Sequence, residues 1–411
     1  MEEQRSSSPV QENSGTPFRC PGEPVPISRS LHLARLGSGY SACLDCEHRT
    51  ETGTLPVSVV KAALTRQAGP VHTLQFERGI RGAYLNVLTR EKLARVVEHV
   101  LDISADDLLA EQTQPRILVG RDARTSSADL TIGVVNVLRR WGCDVADLGE
   151  VSQPCFEFGM EQFHADLGLL VTGGVEPMSQ NGLNVYDRDA IPWGAERFVK
   201  LQDRIDRPAN RFCRQSGRYQ TLSVTEIYHS KVSLLFLENC GLRIAYACGD
   251  RLTRELLKIR LDESGSESAE IPSNFSEVDF NQQLTRFRFD VRQCEADMGF
   301  LIRPDSQTLH VIDERGREVS PADVVQLCSQ SDGGNEIDGG TVSAESVSSL
   351  EEILRCQRSD KIPIVTQQNR YWFADHSPRC DGLTVVALIL QKQAQSDWPL
   401  SAQSKQQGTS S

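Results

Sequence analysis

Residues 117–186 read ILVGRDARTSSADLTIGVVNVLRRWGCDVADLGEVSQPCFEFGMEQFHADLGLLVTGGVEPMSQNGLNVY. Short apolar runs alternate here with stretches of helical period. Arg116–Gly120 is a buried strand, and a helix capped by Ser126 or Ser127 runs through Leu138 and stops near Gly142. Cys143–Leu148 is a strand, Cys155–His164 a helix and Asp166–Val171 a strand. Strand–helix alternation at this length gives a parallel or mixed sheet covered on both faces, an α/β fold. The last strand opens into Thr172-Gly173-Gly174-Val175-Glu176-Pro177, and such carboxyl-end loops are where α/β sheets bind ligands.

Upstream, Gly79-Ile80-Arg81-Gly82 is a glycine-punctuated turn with one cation. Thr89 caps a helix carrying Leu93, Val96, Val97, Val100 and Leu101 at i, i+3, i+4 spacing. Downstream, a second unit starts near Leu222. It holds a helix through Leu234–Leu237, the strand Leu242–Ala247, a turn at Gly249 and the helix Leu252–Ile259. The polar loop DESGSESAEIPSNFSE follows, then the strands Asp297–Ile302 and Leu309–Ile312 and a helix capped by Ser320. A Gly/Ser-rich linker, Ser329–Thr341, leads to a shorter third unit. That unit has a helix around Leu350–Leu354, the strand Ile362–Thr366, Tyr371-Trp372-Phe373 and a final helix Asp381–Lys392. The expected organisation is a disordered 1–28, an extension 29–73, three α/β/α units over 74–221, 222–328 and 329–395, and a disordered tail 396–411.

The net charge of −12 argues against nucleic acid or an anionic membrane surface as a partner. No apolar run reaches the roughly 18 residues of a membrane span. The opening MEEQRSSSPVQENSG is acidic and polar where a signal peptide is basic and then apolar, so the cytoplasm is expected. Twelve cysteines are scattered through the chain, and Cys143, Cys155, Cys240, Cys248, Cys328 and Cys380 read as small buried thiols. Cys43-x-x-Cys46-x-His48 has the spacing of half a zinc site, which Cys20 or His32 would complete as a structural knuckle. The alternative is a reduced, metal-free loop.

The chain resembles the α-D-phosphohexomutases, the phosphomannomutase/phosphoglucomutase family. The matching residues, in order, are Gly79-Ile80-Arg81-Gly82, Val119-Gly120-Arg121-Asp122-x-Arg124-x-Ser126, Asp147-Leu148-Gly149, Asn181-Gly182, Asp313-Glu314-x-Gly316-Arg317 and Asp381-Gly382. The resemblance covers about Leu74–Lys392. It implies three consecutive α/β/α domains with mixed sheets, the family's fourth domain being absent. Such enzymes isomerise hexose phosphates through a phosphoserine, which requires a nucleophilic hydroxyl, cations and a proton acceptor.

Against that pattern the residues diverge. The family's serine loop is roughly T-A-S-H-N-P, so Gly174 stands at the phosphoserine position and Val175 and Glu176 replace histidine and asparagine. Thr172 and Ser179 are poor substitutes, because in-line transfer tolerates little misplacement. The metal loop D-G-D-x-D-R aligns with Arg303-Pro304-Asp305-Ser306-Gln307-Thr308, leaving only Asp305, so Mg²⁺ binding is not expected. Asn184 stands at a lysine position. The sugar loop G-E-x-S-G-H aligns with Thr366-Gln367-Gln368-Asn369-Arg370, which has no carboxylate.

Arg81, Arg121, Arg124, Arg303 and Arg370 remain as phosphate-binding candidates for a phosphosugar ligand. The preferred reading is structural instead: Arg121 and Asp122 make salt bridges within the first domain, with the other arginines solvated. Glu176 and Arg303 are expected to face each other as an ion pair. The sequence therefore favours a non-catalytic mutase homologue with a regulatory or scaffolding role, binding a phosphosugar or partnering an active mutase or another protein. Residual mutase chemistry, and a zinc-knuckle protein on a mutase-like platform, are the alternatives.

Overall fold

The computed structural model describes residues 18–20, 25–44, 46, 48–65, 73–77, 79–109, 114–211, 213–236, 241–273, 275, 279–329, 342–343, 347–357, 364–396 and 398–403. Expectations for residues 1–17, most of the 329–341 linker, Cys240 and Leu237 lie outside these.

Three sheets organise the chain. The first is built from β1 (Ile80–Ala83), β2 (Arg116–Arg121), β3 (Asp144–Glu150), β4 (Leu167–Val171), β5 (Gln180–Tyr186) and β6 (Tyr219–Thr221), in the order β1-β5-β4-β2-β3-β6. Pairings among β2, β3, β4 and β6 are parallel, while β5 runs antiparallel to both β1 and β4. Along β2, Ile117 and Val119 enter one core and Leu118 the other, the period-2 signature of a strand covered on both faces.

The second sheet contains β7 (Arg243–Cys248), β8 (Glu267–Glu270), β9 (Met298–Ile302) and β10 (Leu309–Asp313), ordered β10-β9-β7-β8. The third contains β11 (Val342–Ser343), β12 (Ile364–Gln367) and β13 (Arg370–Phe373), with β12 and β13 antiparallel. The helix Gly382–Ala394 packs on the third sheet, and its buried side chains join a core shared with residues of the first two sheets. Asp381 caps that helix, accepting from the Leu383 N–H.

Several local expectations change. Gly79–Gly82 is not a turn: Ile80–Ala83 pairs with Leu183–Gln180 as an edge strand. The polar stretch after Leu261 contains β8, paired with β7. Helix Phe280–Gln293 was not expected. Its core contact is thin, with Gln283, Phe287 and Val291 on one face, so its apolar period is weak. The helix Thr125–Arg140 has Arg124 at its N-cap without a side-chain cap, and Ser126 and Ser127 instead accept from Asn181 Nδ2. The helix expected through Leu234 covers Thr225–Ser233. Order also extends into both supposedly disordered ends. Phe18 bridges to Ile27, and the short helix Leu400–Gln403 hydrogen-bonds Glu314 through Ser401.

Candidate functional site

The loop after β4 is held from beneath by two side chains of the β2 loop. One carboxylate oxygen of Asp122 accepts from Thr172 Oγ1 at 2.8 Å and from the Gly173 N–H at 3.0 Å. The other accepts from the Arg124 N–H at 3.1 Å and from Ser127 Oγ. Arg124 then clamps the loop. It donates to the carbonyls of Pro177 (2.8 Å), Gln180 (2.6 Å), Gly174 (3.0 Å) and Glu176 (2.7 Å), and pairs with Asp122 at 3.2 Å. A guanidinium presents five N–H groups in a rigid fork, and here they meet main-chain oxygens and one carboxylate.

The loop's glycines follow from this clamp. A Cβ on Gly173 would lie 2.0 Å from Arg124 Nη1. Gly174 has φ of +56°, the left-handed region, and a Cβ there would meet Arg81 Nη2 at 3.2 Å. Thr172 Oγ1 is also committed, donating to Asp122 and accepting from the Gly174 N–H at 2.8 Å.

Arg81, on β1, is buried and donates to the Ile80 carbonyl at 2.9 Å and to Asn184 Oδ1 at 2.5 Å. Burial pushes its guanidinium down to about 10, with the neighbouring Arg124 acting the same way and Glu176 opposing. Glu176 thus lends its charge to Arg81 and Arg124. Among the described residues no ion pair joins it to Arg303, whose guanidinium instead lies 4.3 Å from the Phe280 ring centroid. The expected Glu176–Arg303 bridge is not made.

Of the structural salt bridges expected for Arg121 and Asp122 within the first domain, only that of Asp122 is made. Asp122 pairs with Arg124, while half-buried Arg121 ends β2 near the Gly149 turn and makes no ion pair among the described residues. Nor are the other arginines solvated: Arg81 and Arg124 are each 7% exposed.

Asp305, 2% exposed, is fully occupied. It accepts from the N–H groups of Gln307 (3.2 Å) and Thr308 (3.0 Å), from Thr308 Oγ1 (2.7 Å), and from Arg370 Nε (3.1 Å) and Nη2 (2.6 Å). Burial works to raise its pKa, but Arg370 and these donors outweigh it, and the group sits below the ordinary aspartate value.

Residues 73–211 match the family model described as phosphoglucomutase/phosphomannomutase, alpha/beta/alpha domain I. The chain is 24% identical over 269 residues to a phosphoglucosamine mutase of Bacillus subtilis, covering 61% of this chain and 58% of that protein. It is 22% identical to one of Nitratidesulfovibrio vulgaris, covering 70% and 71%. In fold it is similar to a phosphoglucomutase/phosphomannomutase family protein of Burkholderia thailandensis (TM-score 0.64, 20% identity, 80% and 78% covered). The open form of the Paramecium phosphoglucomutase parafusin is a further match (TM-score 0.57, 12% identity, 77% and 71% covered). Residues 73–211 thus match domain I of the phosphoglucomutase/phosphomannomutase family, and the chain shares the phosphohexomutase fold.

The divalent cation implied by that family does not fit the donor set around Asp305. A hard cation needs several oxygen ligands, usually more than one carboxylate, whereas Asp305 is the lone carboxylate of the stretch 303–308 and its oxygens already carry five donors. The cation paired with Asp305 is Arg370, from the stretch aligned with the sugar loop.

At the amino-terminal extension Cys20, Cys43 and Cys46 are all buried, and the Cys43 thiol is pushed up to about 12 by burial and by the other two thiols. The His48 N–H donates to Cys46 Sγ at 3.4 Å, but the His48 ring contacts Glu51 Oε1 at 2.7 Å. Among the described residues no group of three His, Cys, Asp or Glu side chains is placed to hold a metal ion. The same residues hold no helix long and apolar enough to cross a membrane.

One residue the sequence did not single out faces the centre of the molecule. Glu157 lies on the helix Gln153–Gln162, buried, and accepts from Gln307 Nε2 at 2.7 Å. Burial drives its carboxyl up to about 8, against the lowering effect of Gln307, Gln153, Tyr186 and Arg370. The available signal was a carboxylate between Phe156 and Phe158, both in the core.

Proposed function

We propose that this chain is a non-catalytic phosphohexomutase homologue that acts by binding, in a regulatory or scaffolding role in hexose-phosphate metabolism. The observation that carries this reading is the Asp305–Arg370 pair, 2.6 Å apart. The last carboxylate of the metal loop is neutralised by an arginine from the sugar-loop stretch, so the charge that polarises a transferring phosphoryl group has no open position. Gly174 supports the same reading, because a residue without a side-chain oxygen cannot carry a phosphoryl group. Thr172, the adjacent hydroxyl, is tied to Asp122.

The test is a mutase assay on the purified full chain with glucose, mannose and glucosamine phosphates, in the presence of Mg²⁺. No turnover above buffer is expected. Turnover that disappears in Asp305→Ala would establish residual catalysis and overturn this reading.

A further inference from the structure

The edge of the first sheet opposite β1 is β6, and among the described residues β3 alone pairs with it. The Val145 N–H donates to the Arg218 carbonyl at 2.9 Å, and the Leu222 N–H to the Asp147 carbonyl at 2.9 Å. Alternation along the strand then turns the N–H and C=O groups of Tyr219 and Thr221 away from β3. All three residues of β6 are exposed, Tyr219 by 46%. Such a row of outward main-chain groups is a template for a further strand.

Beside this edge the charge of the molecule reverses. Residues 204–218 carry five arginines and one carboxylate, Asp206, in a chain of net charge −12. The stretch packs on the carboxyl end of the helix Thr125–Arg140. The Gly217 N–H donates to the Arg139 carbonyl at 2.8 Å, and a Cβ on Gly142 would meet Cys213 Cβ at 2.7 Å. Arg139 and Arg211 donate to main-chain carbonyls of Gly217, Cys213 and Arg214. Arg139, Arg211 and Arg214 are exposed and make no ion pair among the described residues, whereas Arg140 and Arg218 are paired with Glu98 and Asp144. The two β3 carboxylates bonded to this edge are occupied. Asp144 is held by Arg218 at 2.6 Å, and buried Asp147 accepts from the Tyr219 hydroxyl at 2.9 Å and the Gly149 N–H at 2.8 Å.

We propose that β6 receives an extended acidic segment of a partner protein as a seventh strand, its carboxylates meeting Arg139, Arg211 and Arg214 at the amino end of β6. Main-chain bonds to Tyr219 and Thr221 fix the register, and acidic residues two apart share one face of the added strand. Every cation of the stretch 204–218 is arginine, whose fork matches a carboxylate bidentately. The net charge of −12 repels large polyanions, which favours a short acidic segment over a nucleic acid or an anionic bilayer. This surface lies outside the central site, and the inference holds whether or not the chain turns over a sugar phosphate.

The experiment is fluorescence anisotropy of a labelled short peptide alternating Glu and Val, titrated with the full chain. The same peptide with Lys for Glu is the control, and single-stranded DNA and phosphatidylserine vesicles are competitors. The acidic peptide is expected to bind saturably, more weakly as salt rises, and the Lys peptide not at all. Arg211→Glu/Arg214→Glu, at two exposed positions, is expected to weaken binding by about tenfold or more. Methylating alternate main-chain nitrogens of the peptide leaves its charge unchanged and is expected to abolish binding. Thr221→Pro, which removes an outward N–H, is expected to do the same from the protein side; if it fails to fold, the methylated peptide carries the test. No binding of the acidic peptide, equal binding by the charge-reversed variant, or equal binding of the methylated peptide each overturns the proposal. Displacement by DNA or vesicles more effective than by unlabelled acidic peptide also overturns it, assigning the surface to another polyanion.

Discussion

The carboxylate of Asp305 and the guanidinium of Arg370 meet at 2.6 Å, the acid with no side-chain exposure and the base with 21%. Asp305 comes from the β9–β10 loop and Arg370 opens β13, so the pair joins two sheets. A buried anion held by five donors from two loops fixes those loops relative to each other.

Removing one partner is therefore the damaging change. Arg370→Met leaves the Asp305 charge buried and unpaired, with an expected loss of about 3 kcal/mol in urea denaturation, at the low end for a broken buried pair because Arg370 is partly exposed. The double variant Asp305→Asn/Arg370→Met should recover most of it. Adding Mg²⁺ should not rescue Arg370→Met; a large metal-dependent rise in its Tm would contradict the account given of this loop.

Gly173 and Gly174 are expected to respond differently. Gly173→Ala places a methyl in the Arg124 guanidinium, and that side chain has no freedom to withdraw without releasing loop carbonyls. A loss of about 2–3 kcal/mol is expected, comparable to one or two hydrogen bonds to a charged group. Gly174→Ser presses only on the end of the Arg81 side chain but has the wrong φ, so about 1–2 kcal/mol is expected. Restoring the serine should give no mutase turnover. Measurable turnover in Gly174→Ser would show that the missing hydroxyl was the single obstacle.

Arg124→Lys preserves the charge but not the fork. One ammonium with three N–H groups cannot span the Pro177, Gln180, Gly174 and Glu176 carbonyls together. A destabilisation of about 2 kcal/mol or more is expected from the bonds lost, together with faster amide exchange over the loop after β4. Exchange rates equal to those of the parent chain would rule out the clamp.

Glu157 sets a pH dependence. Its pKa is raised in the fold, from 4.5 to about 8, so the folded chain holds a proton that the unfolded chain has lost. Its contribution to stability is complete below about pH 4.5 and is lost as pH rises toward about 8. Glu157 interacts with Tyr186, Arg370 and Cys380; both Tyr186 and Cys380 are raised well above their usual values by burial, leaving Glu157 as the titrating member of the set. Glu157→Gln should flatten this part of the stability–pH curve. Parallel curves for the two proteins across that range would assign the slope elsewhere.

The sequence by itself determined the α/β scaffold and which side chains its loops can offer. Strand and helix periods are local properties, visible in Ile117–Val119 and in Leu93–Leu101, and no tertiary context gives Gly174 a hydroxyl or Gln307 a carboxylate. Where the local pattern was weak, as in Phe280–Gln293 with its polar buried Gln283, the helix was illegible. Charge pairing was decided only in three dimensions. Glu176 and Arg303 are paired by their charges and by the loop placement the resemblance implies, but Phe280 carries Arg303, and Arg370, 65 residues beyond Asp305 in sequence, takes that carboxylate. Ion pairs depend on where loops from separate sheets converge, and on a desolvation cost that grows with burial, neither of which is written in any one stretch of residues. The loop Thr172–Pro177 follows the same division: the lack of a side-chain oxygen at Gly174 is a matter of residue identity, and its rigid closure by Asp122 and Arg124 is a matter of packing.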